Sequence, residues 1–375
     1  MDKNEFIPIS QPYIDENAKT LVSECLETGW ISSQGPYVTQ FEKAFAQYIG
    51  VDFAISVTSG TAALHLALMA IGISAGDEVI VPDLTFAATA NAVLLCGAKP
   101  VLCAVNRLTW TLDVEDCSAL ISPSTKAIVP VHLYGNPADM KSILAIAQDN
   151  NITVIEDCAE SLGARFDGVQ TGALGDIGCF SFFANKLLST GEGGMLTTKD
   201  EALATKMRVL RDHGMSPTRR YWHDYAGLNY RMTNIQAAIG VSQLKQLDYF
   251  IKVRGEQELQ YRRRLGDLPD LAFKNELPDA FAVNWLFSFC ITSCDSGERA
   301  ENLKTWLSKN GVDSRSFFYP LHEQPPYQDF REPLNGTKKL SQNGLSLPTF
   351  IGLTGRQIDR ICDLIIEFMS KDCKG

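Results

Sequence analysis

The chain predicts an α/β fold built on a largely parallel sheet, and three features of its 375 residues predict it. Between about 51 and 198, short β-branched runs alternate with stretches whose apolar residues recur at helical spacing. Alternation of that kind means strands joined by crossover helices, with helices on both faces of the sheet. One run, Ile152-Thr153-Val154-Ile155-Glu156, ends in Asp157, and open parallel sheets gather their ligands at the carboxyl ends of strands. After 234 the pattern changes to long helices and then to a smaller mixed unit.

Taken in order, Val79-Ile80-Val81 and Lys99-Pro100-Val101-Leu102 read as strands. So do Lys126-Ala127-Ile128-Val129-Pro130-Val131, Thr153-Val154-Ile155, Cys179-Phe180-Ser181-Phe182 and Gly194-Met195-Leu196-Thr197. Helices are expected over 61–71, 87–96 and 139–150 between them, then over 234–250 and 252–265. The smaller unit has a strand near 285–292, a helix over 298–310, a loop-rich stretch at 319–340 broken by Pro320, Pro325, Pro326 and Pro333, and an amphipathic helix over 354–369. One core of ordinary size does not account for so long a chain, so two domains are expected, 1–250 and 251–375.

Hydrophobic residues at 45% and charged residues at 21% give the composition of a soluble globular protein. A net charge of -10 argues against a nucleic-acid binder, whose phosphate contacts need a basic face. Met1-Asp2-Lys3-Asn4-Glu5 lacks the layout of a signal peptide, and nowhere do eighteen apolar residues run together, so no membrane span is expected. Ten cysteines (25, 96, 103, 117, 158, 179, 290, 294, 362 and 373) are scattered without a Cys-x-x-Cys pair. Most lie in apolar runs, which reads as buried reduced thiols in a cytoplasmic protein, with no metal site.

Chemistry concentrates around Lys186, in Ser181-Phe182-Phe183-Ala184-Asn185-Lys186, followed by Thr190-Gly191-Glu192-Gly193-Gly194. A lysine becomes a covalent catalyst by forming a Schiff base with an aldehyde cofactor, and burial among Phe182, Phe183 and Leu187 would help it lose its proton. Asp157, twenty-nine positions upstream, is placed to keep a cofactor's ring nitrogen protonated. Ser59-Gly60-Thr61, opening an apolar helix, offers backbone donors and hydroxyls to a phosphate. Taken singly, each has an ordinary alternative: a lysine stem on apolar surface, an Asp cap, a Ser/Thr cap. In this order the three are the fixtures of a pyridoxal phosphate enzyme. Two further stretches read as a polar pocket. Arg219-Arg220-Tyr221-Trp222-His223 groups cations with aromatics, as a nucleotide or diphosphate site would, or as a solvated loop does. Tyr319-Pro320-Leu321-His322 sets a phenol and an imidazole in a proline-held loop suited to sugar hydroxyls, although a lone histidine is usually structural.

These motifs, with Gly76-Asp77-Glu78-Val79, Val131-His132-Leu133-Tyr134-Gly135, Glu156-Asp157-Cys158-Ala159-Glu160 and Asn229-Tyr230-Arg231-Met232-Thr233-Asn234, make the chain resemble the DegT-type nucleotide-sugar aminotransferases. These are a branch of the fold-type I pyridoxal phosphate enzymes, and the likeness runs from Pro12 to the last helix. The resemblance implies a large domain with a mostly parallel seven-stranded sheet between helices and a smaller C-terminal α+β domain. It implies that Lys186 carries the cofactor and shuttles a proton, that Asp157 pairs with the pyridine nitrogen, and that Glu160 lies near the phenolic oxygen. Ser59, Gly60, Thr61 and Ser181 would take the phosphate, Phe86 would lie on the ring, and Asn185 would contact the cofactor. Asn229 and Arg231 would reach into a partner subunit's site, making a homodimer obligatory.

Within the family, Trp30-Ile31-Ser32-Ser33-Gln34-Gly35 and Arg219-Arg220-Tyr221-Trp222 look most like members that aminate GDP-4-keto-6-deoxymannose at C4. Trp30, Ser32, Arg219, Arg220, Tyr221, Arg231, Tyr319 and His322 are accordingly the expected substrate contacts. L-glutamate would be the donor, pyridoxal phosphate would cycle through pyridoxamine phosphate, and the product would serve O-antigen and other surface glycans. The same chemistry on a UDP- or dTDP-linked 4-keto sugar is one alternative, and a non-catalytic sensor on the same fold is another. Relatives that dehydrate sugars carry histidine in place of the lysine; this chain keeps Lys186. Cys158 stands where relatives often carry alanine, a small-for-small exchange that leaves Asp157 in place.

Overall fold

The computed structural model describes residues 6–371 except 294–295 and 332–333, so positions 1–5, Cys294, Pro333 and Cys373 lie outside the described residues. Seven strands form the central sheet: β1 Phe53–Val57, β2 Glu78–Pro82, β3 Lys99–Cys103, β4 Thr125–Ile128, β5 Thr153–Asp157, β6 Ile177–Ser181 and β7 Gly194–Thr198. Their spatial order is β1-β7-β6-β5-β4-β2-β3, and only β7 runs antiparallel to its neighbours. The expected seven-stranded, mostly parallel sheet is therefore present.

Period-two alternation explains why these runs are strands buried on both faces. Val79, Val81 and Ile155 point to one side, against helices Gly60–Ile71, Ala88–Leu95 and Glu201–Arg211. Their neighbours Ile80 and Val154 point to the other, with Met140, Ile143 and Ala147 of helix Met140–Asn150. A third cluster stacks Phe41 and Phe45 of helix Pro36–Ile49 on Phe180 and Phe182, with Phe45 and Phe180 edge to face at 5.0 Å.

A second, antiparallel sheet has β8 Leu271–Ala272, β9 Phe287–Ile291, β10 Arg315–Ser316 and β11 Gly344–Leu347, in the order β8-β9-β11-β10. Helices Leu247–Leu265, Glu298–Lys309 and Gly355–Lys371 pack on it, with Tyr261 stacked on Phe287 at 4.6 Å. Helix Leu247–Leu265 runs across position 250. The first described residues also belong to this unit: Ile7 is fully buried in its core and pairs in parallel with Val312. The loop expected at 319–340 is corrected in part, because helix Asn335–Asn343 begins inside it. The helix break expected near 251 lies instead between Leu244 and Leu247. Among the described residues no helix is long and apolar enough to cross a membrane. Eight described cysteines are unpaired, and all but Cys96 are buried.

Adjacent residues at the end of β5 have opposite duties. Glu156 is fully buried and accepts N–H bonds from Gly172, Leu174 and Gly175 at 2.9, 2.9 and 2.8 Å. His132 adds a fourth: its Nδ1 accepts from the Ala138 N–H, so Nε2 carries the proton and donates to Glu156 at 3.0 Å. Cys158 lies beside this pair, but the carboxylate's lone pairs are already taken by the backbone and the imidazole, which marks the group as structural. Glu156→Ala strips four buried donors of their acceptor and should destabilise the fold by about 3–5 kcal/mol. Urea unfolding measures this; an unchanged midpoint contradicts the account.

Candidate active site

Asp157, next along β5, faces the other way and lines a cavity of about 340 Å³ at the carboxyl ends of the parallel strands. Ser59-Gly60-Thr61, Phe86, Ser181, Asn185 and Lys186 line it as well. Local sequence explains the convergence. Ser59 caps helix Gly60–Ile71 by accepting the Ala62 N–H at 3.1 Å, which leaves the first-turn N–H groups without helical acceptors. Gly60 lies so close to Ser181 that a Cβ would sit 2.8 Å from the serine Cβ. Gly194 has no room for one either, since it would meet the Ser59 carbonyl at 2.4 Å. Glycine at these two positions lets the cap and the lysine loop share one cradle. The loop itself folds back through Phe182 N–H to the Gly193 carbonyl, 2.8 Å, and Thr190 N–H to the Phe182 carbonyl, 3.0 Å.

The Lys186 side chain is 13% exposed, with Nζ 3.6 Å from Glu160 Oε1 and 3.8 Å from the centre of the Trp285 ring. Burial lowers the lysine pKa below its ordinary value, and the charges of Glu160 and Asp157 oppose the shift. Burial also raises both carboxyls. Asp157 is partly relieved by hydrogen bonds from the Ala159 N–H at 3.1 Å and the Thr89 hydroxyl at 2.8 Å. Glu160 is relieved by the charge of Lys186 and by the Tyr134 N–H at 2.8 Å. An amine that sheds its proton readily is a nucleophile toward a carbonyl, and a buried carboxylate favours a cationic nitrogen beside it. The Asn185 Oδ1 is buried with no hydrogen-bond partner among the described residues, a polar atom that a bound group would satisfy. Amine, carboxylate, oxyanion cradle and orphaned amide together fit an aldehyde cofactor bearing a ring nitrogen and a phosphate.

A sequence model described as the DegT/DnrJ/EryC1/StrS aminotransferase family matches residues 12–366. The chain belongs to that family. It is 47% identical to the GDP-perosamine synthase of Caulobacter vibrioides over 95% of this chain and 96% of that one. With the GDP-perosamine synthase of Escherichia coli O157:H7 it shares 42% over 98% and 99%. Among solved structures, DesV of S. venezuelae, crystallised in complex with a ketimine intermediate, superposes with a TM-score of 0.91 at 32% identity, covering 98% of this chain and 99% of its own.

As a DegT-type aminotransferase, the chain gathers every expected cofactor contact except Asn229 at the cavity. Asn229 is exposed and accepts a hydrogen bond from Arg231 Nε at 3.0 Å, while Arg231 pairs with Asp212 at 2.7 Å. Trp30 and Ser32 are exposed on a loop held by Asn234, which donates from its side chain to the Trp30 carbonyl and from its backbone to the Ser32 carbonyl. Arg219 lies over Trp222 and Arg220 over Tyr221, all exposed and away from the cavity. Tyr319, 73% exposed, lines a neighbouring cavity of about 420 Å³ that shares Thr85, Phe86, Arg315 and Phe318 with the first. His322 is a correction. It is buried, with Nδ1 2.7 Å from Asp83 and Nε2 accepting the Leu334 N–H at 3.4 Å, so neither nitrogen is left for a sugar hydroxyl.

Four residues were given no role in the site from the sequence. Trp285 covers the lysine amine, Thr89 holds Asp157, Tyr134 donates to Glu160, and Arg315 stands at the mouth. Thr89 alone had a local signal, being in the first turn of the helix that follows Phe86. Reductive methylation of cofactor-free protein, followed by peptide mapping, should modify Lys186 half-maximally at a pH below the ordinary lysine value of 10.5. A midpoint at or above that value contradicts the burial argument.

Proposed function

We propose that this aminotransferase moves the amino group of L-glutamate to C4 of GDP-4-keto-6-deoxymannose, giving GDP-perosamine, with pyridoxal phosphate as its cofactor. The observation that carries the reading is 47% and 42% identity to two GDP-perosamine synthases over nearly the whole chain. Retention of the buried lysine supports it. When bound, pyridoxal phosphate supplies a carbonyl for amine exchange and a ring that withdraws electrons from the reacting carbon.

The protein's part follows from the cavity. Lys186 Nζ would hold the cofactor, and as the base and acid of the cavity it would carry the proton to and from the reacting carbon. Asp157 would hold the ring nitrogen, with its carboxylate fixed by Thr89 and the Ala159 N–H. Ser59, Gly60, Thr61 and Ser181 would hold the phosphate at the helix N-terminus. Phe86, Asn185 and Glu160 would hold the ring, and Trp285 covers the lysine amine against water. Water supplies the ketone oxygen of 2-oxoglutarate as the amino group leaves glutamate, and a water is returned as the sugar's ketone oxygen departs and the amino group takes its place. The eight unpaired described thiols suit a reducing cytoplasm.

The deciding experiment offers the enzyme the GDP-, UDP- and dTDP-linked 4-keto-6-deoxy sugars with glutamate and weighs the products. Amination of the GDP sugar alone is expected, and Lys186→Ala should abolish both turnover and borohydride labelling at position 186. Conversion of only a UDP or dTDP sugar removes GDP from the reading.

The working form is proposed to be a homodimer with shared sites. Tyr221, Trp222, Tyr225, Trp30 and Ile31 are large apolar groups left exposed. Arg219, Arg220, Asn229 and Arg231 lie away from this chain's own cavity, where a partner's site would bring them into use. Asn229→Ala should lower cofactor retention after dialysis without changing the thermal midpoint of cofactor-free protein. Full retention, or an active monomer in sedimentation, contradicts the shared site.

A further inference from the structure

A third cavity, of about 500 Å³, opens at the β3 edge of the central sheet. It shares no lining residue with the lysine cavity or with the cavity beside that one. One wall is made by Asn106, Arg107 and Leu108, which follow β3. The other is made by Gly336 and Thr337, in the first turn of helix Asn335–Asn343, which runs straight into β11. A group bound here touches segments attached to both sheets.

That helix begins without a cap. Leu334, at its N-cap, has no side-chain oxygen to offer, so the first-turn N–H groups of Gly336 and Thr337 have no acceptor within the helix. Thr337 is 2% exposed, yet its hydroxyl has no hydrogen-bond partner among the described residues. A buried hydroxyl that the protein leaves unsatisfied on a cavity wall calls for a partner from outside. Arg107 is the third observation. Its guanidinium lies against Gly336, where an added Cβ would sit 3.3 Å from both Nε and Nη2. An exposed arginine without a salt bridge is ordinary, but one set against the positive end of a helix is repelled by it. Among the described residues no carboxylate pairs with Arg107. Asp113 is the one described carboxylate on the wall, and its Oδ1 is spent on the Asp116 N–H at 3.0 Å, capping helix Val114–Ala119.

Two positive groups brought together beside an unsatisfied hydroxyl are reconciled by an anion between them. We propose that this cavity binds a small phosphate ester, its phosphoryl group held between the Arg107 guanidinium and the Gly336 and Thr337 N–H groups and accepting a hydrogen bond from the Thr337 hydroxyl. A guanidinium fork offers two parallel donors and the helix end two more, a set that three phosphoryl oxygens can share. The cavity is larger than a phosphate alone needs, and Leu108 gives the organic part of an ester an apolar wall. The bound anion ties the loop after β3 to the helix that feeds β11, so occupancy adds to the stability of the fold.

The test follows the thermal midpoint of the holoenzyme, dialysed into chloride, as inorganic phosphate or glycerol 3-phosphate replaces sodium chloride at equal ionic strength. Cofactor absorbance confirms that each sample is loaded, which keeps the probes out of the cradle at Ser59 and Thr61. Both probes should raise the wild-type midpoint saturably, glycerol 3-phosphate at the lower concentration. Arg107→Leu should raise both half-saturating concentrations about tenfold or more, and Thr337→Val about threefold. In chloride alone Arg107→Leu should melt no lower than the wild type, since it removes a repulsive contact, and its turnover should be unchanged. No rise over chloride in the wild type overturns the site, as does an equal rise in Arg107→Leu. A lower midpoint of Arg107→Leu in chloride also overturns it, and makes the arginine a structural group. Tighter binding of inorganic phosphate than of glycerol 3-phosphate overturns the ester and assigns the site to free phosphate.

Discussion

Three ionisable groups, Lys186, Asp157 and Glu160, are buried together, and the site depends on how unequally they are treated. Low dielectric penalises every charged form, driving the carboxyls up and the lysine down. The protein then compensates the acids with donors: a hydroxyl and a backbone N–H for Asp157, a backbone N–H for Glu160. The amine receives an aromatic face and a carboxylate oxygen at 3.6 Å, beyond good hydrogen-bond length. The amine's weakened hold on its proton is built from what it is denied.

Strand geometry makes that arrangement affordable. Glu156 and Asp157 point to opposite faces of β5, so one carboxylate can be saturated by the 172–175 backbone while its neighbour is kept for a ligand. The aromatic wall behind the amine is similarly tied to the acid. Tyr134, at a positive φ of 50°, donates its N–H to Glu160, stacks on Trp285 at 6.2 Å and accepts the buried Lys274 ammonium on its carbonyl at 2.6 Å. A bulky residue in this left-handed conformation is strained, and the surrounding contacts hold it there.

Much of this could be read before any coordinates. β-branched runs marked most of the central strands, and the Ser59 cap, Asp157 and Lys186 were recognisable because each carries its signal in adjacent residues. What escaped was the non-local part. Trp285 meets Lys186 across about a hundred positions of chain, and Arg315 reaches the cavity from a two-residue strand that no periodicity marks. His322 was misread for the same reason: its partner, Asp83, is 239 positions away and decides its role. Strand β1, with Ala54 and Ser56 among its five residues, and helices Glu16–Thr28 and Pro36–Ile49 were not marked out as elements either.

The pairing of Ile7 with Val312 joins two segments far apart in the polypeptide. Ile7 donates to the Gly311 carbonyl at 2.8 Å and accepts from the Asp313 N–H at 2.9 Å, while the Ile9 carbonyl accepts from Thr349 at 3.0 Å. During synthesis Ile7 is made long before Gly311 and Asp313, its hydrogen-bonding partners. The sheet-rich core between them can organise while this isoleucine still waits in solvent. The smaller lobe therefore cannot complete this clasp until the 311–313 segment has been made.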